Sequence, residues 1–279
     1  MKLRYYPWRY YLQFLCYKFR ILADCKAGRI RLLLSQIIHY AGHICHIWWE
    51  MPGYNHIEMI TTVWGLFQFI GDLYGYLIMD PSFERPDMEY FFGEIRNSLS
   101  QKKKVLFLDI GANVGLYTIG LSNTLNKQKL AIHAFEPDPV YHLLLQKNIE
   151  INHTPHVTVH RVAIGKEQRV IDANGFQLVK DTVKKTRVKF HIRTLDSIIT
   201  PAITRNFDVI YVKIDIEGHE EDALRGARQL YRSGKPMLFM IEDCVNPSIL
   251  TYLKAQKFTS RGKITPYNSY WELNGYGKD

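Results

Sequence analysis

Five short apolar runs, separated by helical stretches, restrict the possible folds of this chain more than any other feature. They are residues 105–109, 130–135, 157–164, 209–216 and 237–241. Between them, residues 139–149 and 219–231 show helical patterns, and Asp138 and Pro139 stand where an N-cap and a first-turn proline belong. This alternation predicts an α/β fold with a mostly parallel sheet that is buried on both faces. We expect its ligand at the carboxyl ends of the strands.

The first apolar run leads into FLDIGANVGLYT, residues 107–118. The stretch lacks both the G-x-G-x-x-G of dinucleotide-binding turns and the Gly-Lys-Ser/Thr ending of a P-loop. Asp109 followed by Gly111, Asn113 and Gly115 is typical of a turn that brings bare backbone to a ligand with a cationic amino group. The alternative is a glycine-rich turn between a strand and a helix that serves packing alone.

The second apolar run ends in Glu136, which is followed by Pro137. An acidic residue at this place can accept hydrogen bonds from both hydroxyls of a ribose. S-adenosylmethionine carries a ribose and a cationic aminoacyl end. The two runs together therefore predict S-adenosylmethionine as the cofactor, ahead of the packing-only alternative.

Six segments in a fixed order resemble the FkbM family of S-adenosylmethionine-dependent methyltransferases. They are FLDIGANVGLYT, AFEPDPVYHLLLQKNIEIN, AIG, RTLDSI, VKIDIEGHEEDALRGA and MLFMIED, within residues 105–258. The resemblance implies a Rossmann-like class I methyltransferase domain with a mostly parallel seven-stranded sheet and helices on both faces. It also implies transfer to a hydroxyl oxygen, often on a sugar or a natural product. The cofactor-binding residues that it implies are Asp109, Gly111, Ala112, Asn113, Gly115, Glu136, Pro137 and, near the adenine, Ala163.

A second dense group of polar residues, KIDIEGHE, ends the fourth run. If the strand extends that far, alternation places Asp215 and Glu217 on the same side as Lys213. His219 follows in the next turn, and Glu242 ends the fifth run. We predict that Asp215, Glu217, His219 and Glu242 lie on the acceptor side of the cofactor, and that one of them is the general base. We predict no dedicated metal-binding residues, although carboxylate oxygens here would also suit Mg²⁺.

The net charge of +9 is concentrated near the start of the chain. Eight basic residues against the single Asp24 give the first 31 residues a charge of +7, and eight aromatic residues lie among them. Three interpretations stay open: a helix docked on the main domain, contact with an anionic membrane, and nucleic-acid binding. We predict a basic, aromatic-rich helical extension over residues 1–95 and a methyltransferase domain over residues 96–279.

The predicted function is O-methylation of a glycan, a glycolipid or a related metabolite. We expect a cytoplasmic protein in peripheral contact with the membrane surface. A nucleic-acid methyltransferase guided by the basic arm is one alternative. Nucleic-acid methyltransferases that modify amino groups typically have a Pro-Pro-aromatic turn at this place. Here Asp215 is followed by Ile-Glu-Gly, so nucleic acid is not expected as a partner. The other alternative is a catalytically silent membrane-associated scaffold.

Overall fold

The computed structural model describes residues 58–69, 84–125, 129–154, 156–179, 182–246 and 248–273. The basic segment of residues 1–31 lies outside this part of the chain, and so does the rest of the predicted extension up to residue 57. Within the described ranges, no helix has the length and apolar character that a membrane crossing requires.

Strands and helices alternate along most of the described chain. The first half contains β1 Glu58–Thr62, β2 Gly65–Phe69, α1 Arg85–Ser100, β3 Val105–Ile110, α2 Leu116–Thr124, β4 Leu130–Phe135, α3 Pro139–Ile151, β5 Val157–His160 and β6 Ala163–Ile164. The second half contains β7 Arg169–Val179, β8 Thr182–Arg193, a 3-10 turn Leu195–Ser197, α4 Pro201–Thr204, β9 Val209–Ile214, α5 Glu220–Arg225, α6 Arg228–Arg232, β10 Met237–Glu242, α7 Ile249–Ala255, β11 Thr259–Lys263 and β12 Asn268–Leu273.

Seven strands form the main sheet, in the order β11-β12-β10-β9-β3-β4-β5. Strands β10, β9, β3, β4 and β5 pair in parallel, whereas β12 runs antiparallel to both of its neighbours. The prediction of a mostly parallel seven-stranded sheet is confirmed, with one antiparallel strand that makes the sheet mixed. From β3 the chain proceeds outward through β4 to β5 and then returns to β9 on the other side of β3. The carboxyl ends of β3 and β9 therefore flank a topological switch point, where α/β sheets bind ligands.

Alternate residues of the central strands enter two separate core layers. In β3, Phe107 packs with α1, α2 and α3, and Leu108 packs with α5, α6 and α7 on the opposite face. Both side chains are fully buried. This alternation explains why the strands read as continuous apolar runs, and it confirms the expected helices on both faces. Helix α3 begins as predicted, since Asp138 Oδ1 accepts hydrogen bonds from the backbone N–H groups of Val140 and Tyr141.

Three element boundaries differ from the predictions. The run at residues 157–164 is two strands, β5 in the main sheet and β6 in a separate three-stranded sheet with β7 and β8. The run at residues 209–216 ends as a strand at Ile214, because the chain turns through Glu217 and Gly218, which both have positive φ. The predicted helix over residues 219–231 is interrupted at Gly226, which passes so close to the backbone of Gly165 that a Cβ atom would lie 2.1 Å from the Gly165 oxygen.

The prediction of a helical extension over residues 1–95 is wrong for residues 58–69, which form the antiparallel hairpin β1–β2. Alternate residues Phe67 and Phe69 are fully buried, which is the periodicity of a strand rather than of a helix. The edge of β2 that does not pair with β1 is hydrogen-bonded by two side-chain amides, one in α3 and one directly after it. Asn148 Oδ1 accepts from Gln68 N at 2.6 Å, and Asn152 Oδ1 accepts from Leu66 N at 3.0 Å.

Helix α1 forms where a helical pattern was expected, and it packs against the main sheet. Its Phe91 makes an edge-to-face contact with Phe107 of β3, and the ring centroids are 5.9 Å apart. Its Asp87 accepts hydrogen bonds from Tyr270 Oη at 2.6 Å and from Asn268 Nδ2 at 2.9 Å, which ties α1 to β12. The predicted domain boundary between residues 95 and 96 falls inside this helix.

Candidate functional site

The turn after β3 is built from backbone conformations that suit glycine. Gly111 and Gly115 have φ of 83° and 95°, and Asn113 has φ of 52°. A Cβ atom on Gly111 would lie 1.8 Å from the carbonyl oxygen of Asp215, so the ends of β3 and β9 approach each other directly. Gly115 is the N-cap of α2, and a Cβ atom on it would clash with Leu145 of α3 at 2.6 Å. The turn is thus compact at the switch point of the sheet.

Glu136 lies beside this turn, directly after β4. Its Oε2 accepts a hydrogen bond from the backbone N–H of Asn113 at 2.8 Å, and its Oε1 accepts from that of Asp138 at 2.9 Å. The side chain is buried, and burial raises the pKa of Glu136 to about 7 although both hydrogen bonds lower it. Each carboxylate oxygen keeps a further lone pair for a ligand hydroxyl. The structure therefore connects Glu136 to the glycine turn through Asn113.

Asp109, the residue before the last one of β3, is enclosed rather than open to a ligand. It is 1% exposed, and its Oδ2 accepts a hydrogen bond from Thr118 Oγ1 at 2.6 Å. Its Oδ1 has no hydrogen-bond partner and lies 3.6 Å from Lys213 Nζ. Burial raises the pKa of Asp109, and the charge of Lys213 opposes that shift. The carboxylate faces a cation from the chain itself.

Lys213 is the buried cation of this site, and it is the one charged residue in the sequence of the buried strand β9. Its Nζ donates to the carbonyl oxygen of Gly111 at 3.1 Å and lies 3.2 Å from Asp215 Oδ2. Burial lowers the pKa of Lys213, but Asp215, Asp109 and Glu84 outweigh it and raise the pKa above its usual value. Lys213 therefore stays charged and connects the ends of β3 and β9.

A tyrosine and a second glutamate complete this cluster. The ring of Tyr117 lies beneath Lys213 Nζ, which is 5.2 Å from the ring centroid. Tyr117 Oη donates a hydrogen bond to Glu84 Oε2. Burial raises the pKa of Glu84 to about 7, although the hydrogen bond from Tyr117 lowers it. Glu84 precedes α1, so a residue from the region predicted as an extension contributes to the site.

The predicted acceptor residues separate into two groups. Asp215 is 38% exposed at the carboxyl end of β9, and the neighbouring Glu242 ends β10. Asp215 and Glu242 directly follow Ile214 and Ile241, which pair in adjacent parallel strands, so the two carboxyl groups lie close together. Burial and repulsion from Asp215 raise the pKa of Glu242 to about 8. Glu217 and His219 are exposed in the loop beyond the strand. Glu217 does not share the side of a strand with Asp215, because β9 ends at Ile214.

The loop after β9 is held by Glu220, which is fully buried. Its Oε1 accepts hydrogen bonds from the backbone N–H groups of Ile216 at 3.2 Å and Gly218 at 2.9 Å. Of the remaining predicted cofactor residues, Ala112 is buried in the glycine turn and donates its N–H to the Phe135 oxygen at 3.0 Å. Pro137 follows Glu136 and is half-buried, and Ala163 is half-buried in β6, which pairs with β8.

Among the described residues, no group of three or more His, Cys, Asp or Glu side chains is arranged to hold a metal ion. Three residues of the cluster, Glu84, Tyr117 and Lys213, were not among the predicted site residues. Lys213 had a sequence signal, since it is a single charge inside the apolar run VIYVKI. Glu84 had none, because its approach to Tyr117 depends on the packing of α1.

Comparison with solved structures finds methyltransferases of low sequence identity. A methyltransferase FkbM from Methylobacillus flagellatus is 22% identical, with a TM-score of 0.43, over 61% of this chain and 43% of that one. This chain thus spans less than half of that structure. A SAM-dependent methyltransferase from Aquifex aeolicus is 13% identical, with a TM-score of 0.42, over 70% of this chain and 94% of that one. A comparison with curated proteins finds no match.

The family model named Methyltransferase FkbM domain matches residues 109–259. This range begins at Asp109, contains the glycine turn, Glu136 and the ends of β9 and β10, and covers more than half of the chain. The chain therefore belongs to the FkbM methyltransferase family.

Proposed function

We propose that this protein transfers the methyl group of S-adenosylmethionine to a hydroxyl group of a glycan, a glycolipid or a related metabolite. One observation carries the proposal: Glu136 and the glycine turn are joined by the Asn113 N–H at the carboxyl edge of the sheet, within the family match. The cofactor supplies a methyl group that its sulfonium already activates. The protein has to align the acceptor and remove its proton.

The residues at this edge fit such a cofactor. Glu136 would accept from the ribose hydroxyls, because its two backbone hydrogen bonds orient both oxygens and leave lone pairs on each. The backbone from Gly111 to Gly115 would lie against the aminoacyl end, and Ala163 would lie near the adenine. Asp109 contributes indirectly in this proposal. It holds Lys213, which in turn fixes the Gly111 carbonyl and the carboxylate of Asp215.

Asp215 and Glu242 are the residues that we propose for the acceptor hydroxyl. Asp215 directly follows β9 and Glu242 ends the adjacent parallel strand β10, so the ends of the sheet set both positions. A carboxyl group whose pKa is raised to about 8 is matched to proton transfer near neutral pH. Glu217 and His219 are exposed in the loop beyond β9, where we propose that they contact the rest of the acceptor.

The cofactor assignment is tested by the affinity for S-adenosylhomocysteine, measured by isothermal titration calorimetry. Glu136→Ala removes both ribose acceptors, and each charge-assisted hydrogen bond contributes about 1.5–3 kcal/mol. We expect the variant to bind at least about tenfold more weakly than the wild type. Glu150→Ala, at an exposed position of α3, is the matched control and should bind normally. Equal affinity of the two variants would remove Glu136 from the site.

The acceptor assignment is tested by methyl transfer to a glycan extract from cell envelopes. Removing a general base typically costs about 10²–10⁴-fold in rate. We expect losses of this size in Asp215→Asn or Glu242→Gln, with unchanged affinity for S-adenosylhomocysteine, and smaller losses in Glu217→Gln and His219→Ala. Full rates in all four variants would place the acceptor elsewhere. Incorporation into RNA alone would show that the acceptor class is wrong.

A further inference from the structure

The hairpin β7–β8 is the largest feature of the described structure that the proposed reaction does not use. Its strands pair in an unbroken antiparallel register from Arg169↔Ile192 to Val179↔Thr182. Its base joins β6, where Ala163 pairs with Ile192. The apolar runs did not predict this hairpin, because its outward positions are polar and charged.

The hairpin lies next to the candidate site and reaches both core layers. Val183, near its tip, is buried in the layer that contains α1, α2 and α3. Ile164, which pairs with its base, is buried in the layer on the other face of the sheet. Between these ends, the N–H of Phe176 donates a hydrogen bond to Asp138 Oδ2 at 2.8 Å. Asp138 is two residues after Glu136 of the candidate site. The hairpin thus crosses the edge of the sheet at the side of β4 and β5.

One face of β8 carries a line of basic side chains, which we call the basic stripe. Its members alternate along the strand and are all exposed: Lys185, Arg187, Lys189, His191 and Arg193. Successive members are separated by about 6.6 Å, the repeat of every second residue in a strand. The residues between them, Thr186, Val188, Phe190 and Ile192, are half-buried. The exposed stripe begins at Lys185, because Val183, the preceding residue of the same alternation, is buried in the core.

The charges of the basic stripe are not neutralised by the described part of the protein. None of its lysines and arginines forms an ion pair with another described residue, whereas the nearby Arg169 pairs with Glu167 at 3.6 Å. Asp172 stands opposite Lys189 in register without forming an ion pair. Four cations in one line create a positive potential that attracts a partner with repeated negative charge.

We propose that the basic stripe binds a linear acidic glycan, one that carries carboxylate or sulfate groups along its chain, as the acceptor of methyl transfer. The identification of this glycan as the acceptor rests on the proposed function. Its binding to the stripe does not.

The distribution of charge along the carboxyl edge supports this arrangement. The acidic pair Asp215 and Glu242 lies on the side of β9 and β10, and the basic stripe lies on the side of β4 and β5. A neutral sugar unit suits the acidic pair, and charged units further along the same chain suit the stripe. The acidic pair and the basic stripe, at opposite ends of the carboxyl edge of the sheet, would therefore orient the polymer across the site.

The shape of the stripe favours a glycan over other polyanions. Single-stranded nucleic acid is usually bound by exposed aromatic rings as well as by cations, but Phe176 and Phe190 of the hairpin are half-buried. An anionic membrane attracts a broad basic surface, whereas the opposing strand β7 presents Val170, Asp172 and Asn174 on this face. A single line of charge matches a single extended chain.

The experiment measures the affinity of the full-length protein for polygalacturonate oligomers at low salt, by biolayer interferometry. The test variant is Lys185→Glu/Lys189→Glu. The control Lys103→Glu/Lys254→Glu makes the same charge change at exposed positions away from the hairpin. All forms keep the basic residues 1–31, so any contribution of that segment is common to them. We expect binding by the wild type and the control, and a loss of at least about tenfold in the test variant, with strong dependence on salt.

Three results would overturn the proposal: no binding of polygalacturonate by the wild type, equal losses in the two variants, or tighter, stripe-dependent binding of polyuridylate. Neutral dextran should not bind. The affinity for S-adenosylhomocysteine separates this proposal from the proposed function. If the protein binds S-adenosylhomocysteine but not polygalacturonate, only the proposed glycan binding by the basic stripe is wrong. If it binds polygalacturonate but not S-adenosylhomocysteine, only the cofactor assignment is wrong.

Discussion

Lys213 determines, at the scale of single residues, how the candidate site is held together. It is a lysine within a fully buried strand, and it contacts the Gly111 carbonyl, Asp109 and Asp215. A buried charge is tolerated only when it is paired, so the two aspartates and the lysine depend on one another. An acid at the end of an apolar strand was predicted to face the ligand. In the structure, Asp109 faces this lysine.

We expect Lys213→Met to destabilise the protein by about 3–5 kcal/mol, because the variant leaves the carboxylate of Asp109 buried without a cation. The free energy of unfolding, measured by urea denaturation, checks this. The double variant Lys213→Met/Asp109→Asn should lose less than the single variant, since the fully buried position 109 then carries no charge. Lys254→Met, at an exposed position, should change stability by no more than about 0.5 kcal/mol. A double variant as unstable as Lys213→Met would contradict the pairing.

The raised pKa of Glu84 should make the stability of the protein depend on pH. Its pKa rises from 4.5 to about 7 on folding, so the folded protein binds this proton more tightly than the unfolded chain does. The resulting stabilisation is complete below about pH 4.5 and is lost as the pH rises towards 7. Glu84→Gln cannot ionise. Between pH 4.5 and 7.5 its free energy of unfolding should therefore fall by about 3 kcal/mol less than that of the wild type.

Urea denaturation at a series of pH values measures this difference. Glu89→Gln, an exposed glutamate on the same helix, should keep the pH dependence of the wild type. Parallel curves for the wild type and Glu84→Gln would show that Glu84 ionises normally in the folded protein.

At the scale of elements, two connections decide where the site is placed: the turn after β3 and the cap of α3. The turn depends on Gly111, whose φ of 83° and proximity to the Asp215 carbonyl exclude a side chain. We expect Gly111→Ala to lower the free energy of unfolding by more than about 2 kcal/mol. Gly93→Ala is the matched control, because nothing lies within 4 Å of its Cβ position in α1. It should stabilise the protein by about 0.5–1 kcal/mol.

Asp138 joins two elements, since one oxygen caps α3 and the other accepts from Phe176 of β7. Loss of the cap costs about 0.5–2 kcal/mol, and an unpaired backbone N–H adds to it. We expect Asp138→Ala to destabilise the protein by about 2–3 kcal/mol in urea denaturation. Hydrogen exchange of the Phe176 amide should also become faster. Asp172→Ala on the same hairpin should have almost no effect, and an equal effect of both changes would contradict this role for Asp138.

At the scale of the whole molecule, the region before β3 is part of the core of the methyltransferase fold. Phe67, Phe91 and Phe92 are fully or almost fully buried. Asn148 of α3 and Asn152, which directly follows that helix, bind the edge of β2. We therefore expect a chain of residues 96–279 to show no cooperative thermal transition in calorimetry. A chain of residues 54–279 keeps these contacts and should unfold cooperatively. A stable chain of residues 96–279 would show that the hairpin and α1 are dispensable.

The same shorter chain tests the proposed contact of residues 1–50 with an anionic membrane. We expect full-length protein to float with anionic liposomes in a density gradient and residues 54–279 to remain at the bottom. The affinity for S-adenosylhomocysteine should be equal in both. Equal flotation of the two chains would show that the basic, aromatic-rich segment is not the membrane contact.

The sequence by itself determined the central sheet, the helices on its two faces, the cap of α3 and the positions of the glycine turn and Glu136. These features depend on local patterns: apolar runs that two buried faces require, and turn and cap residues whose preferences act over a few positions. Only the tertiary structure showed that Asp109 is paired with Lys213, that Glu84 reaches Tyr117 and that Asp215 lies beside Glu242. These contacts join residues far apart in sequence, and they form because separate strands end at the same edge of the sheet. The hairpin β1–β2 and the outward basic face of β8 likewise depend on what each strand packs against, which no local pattern records.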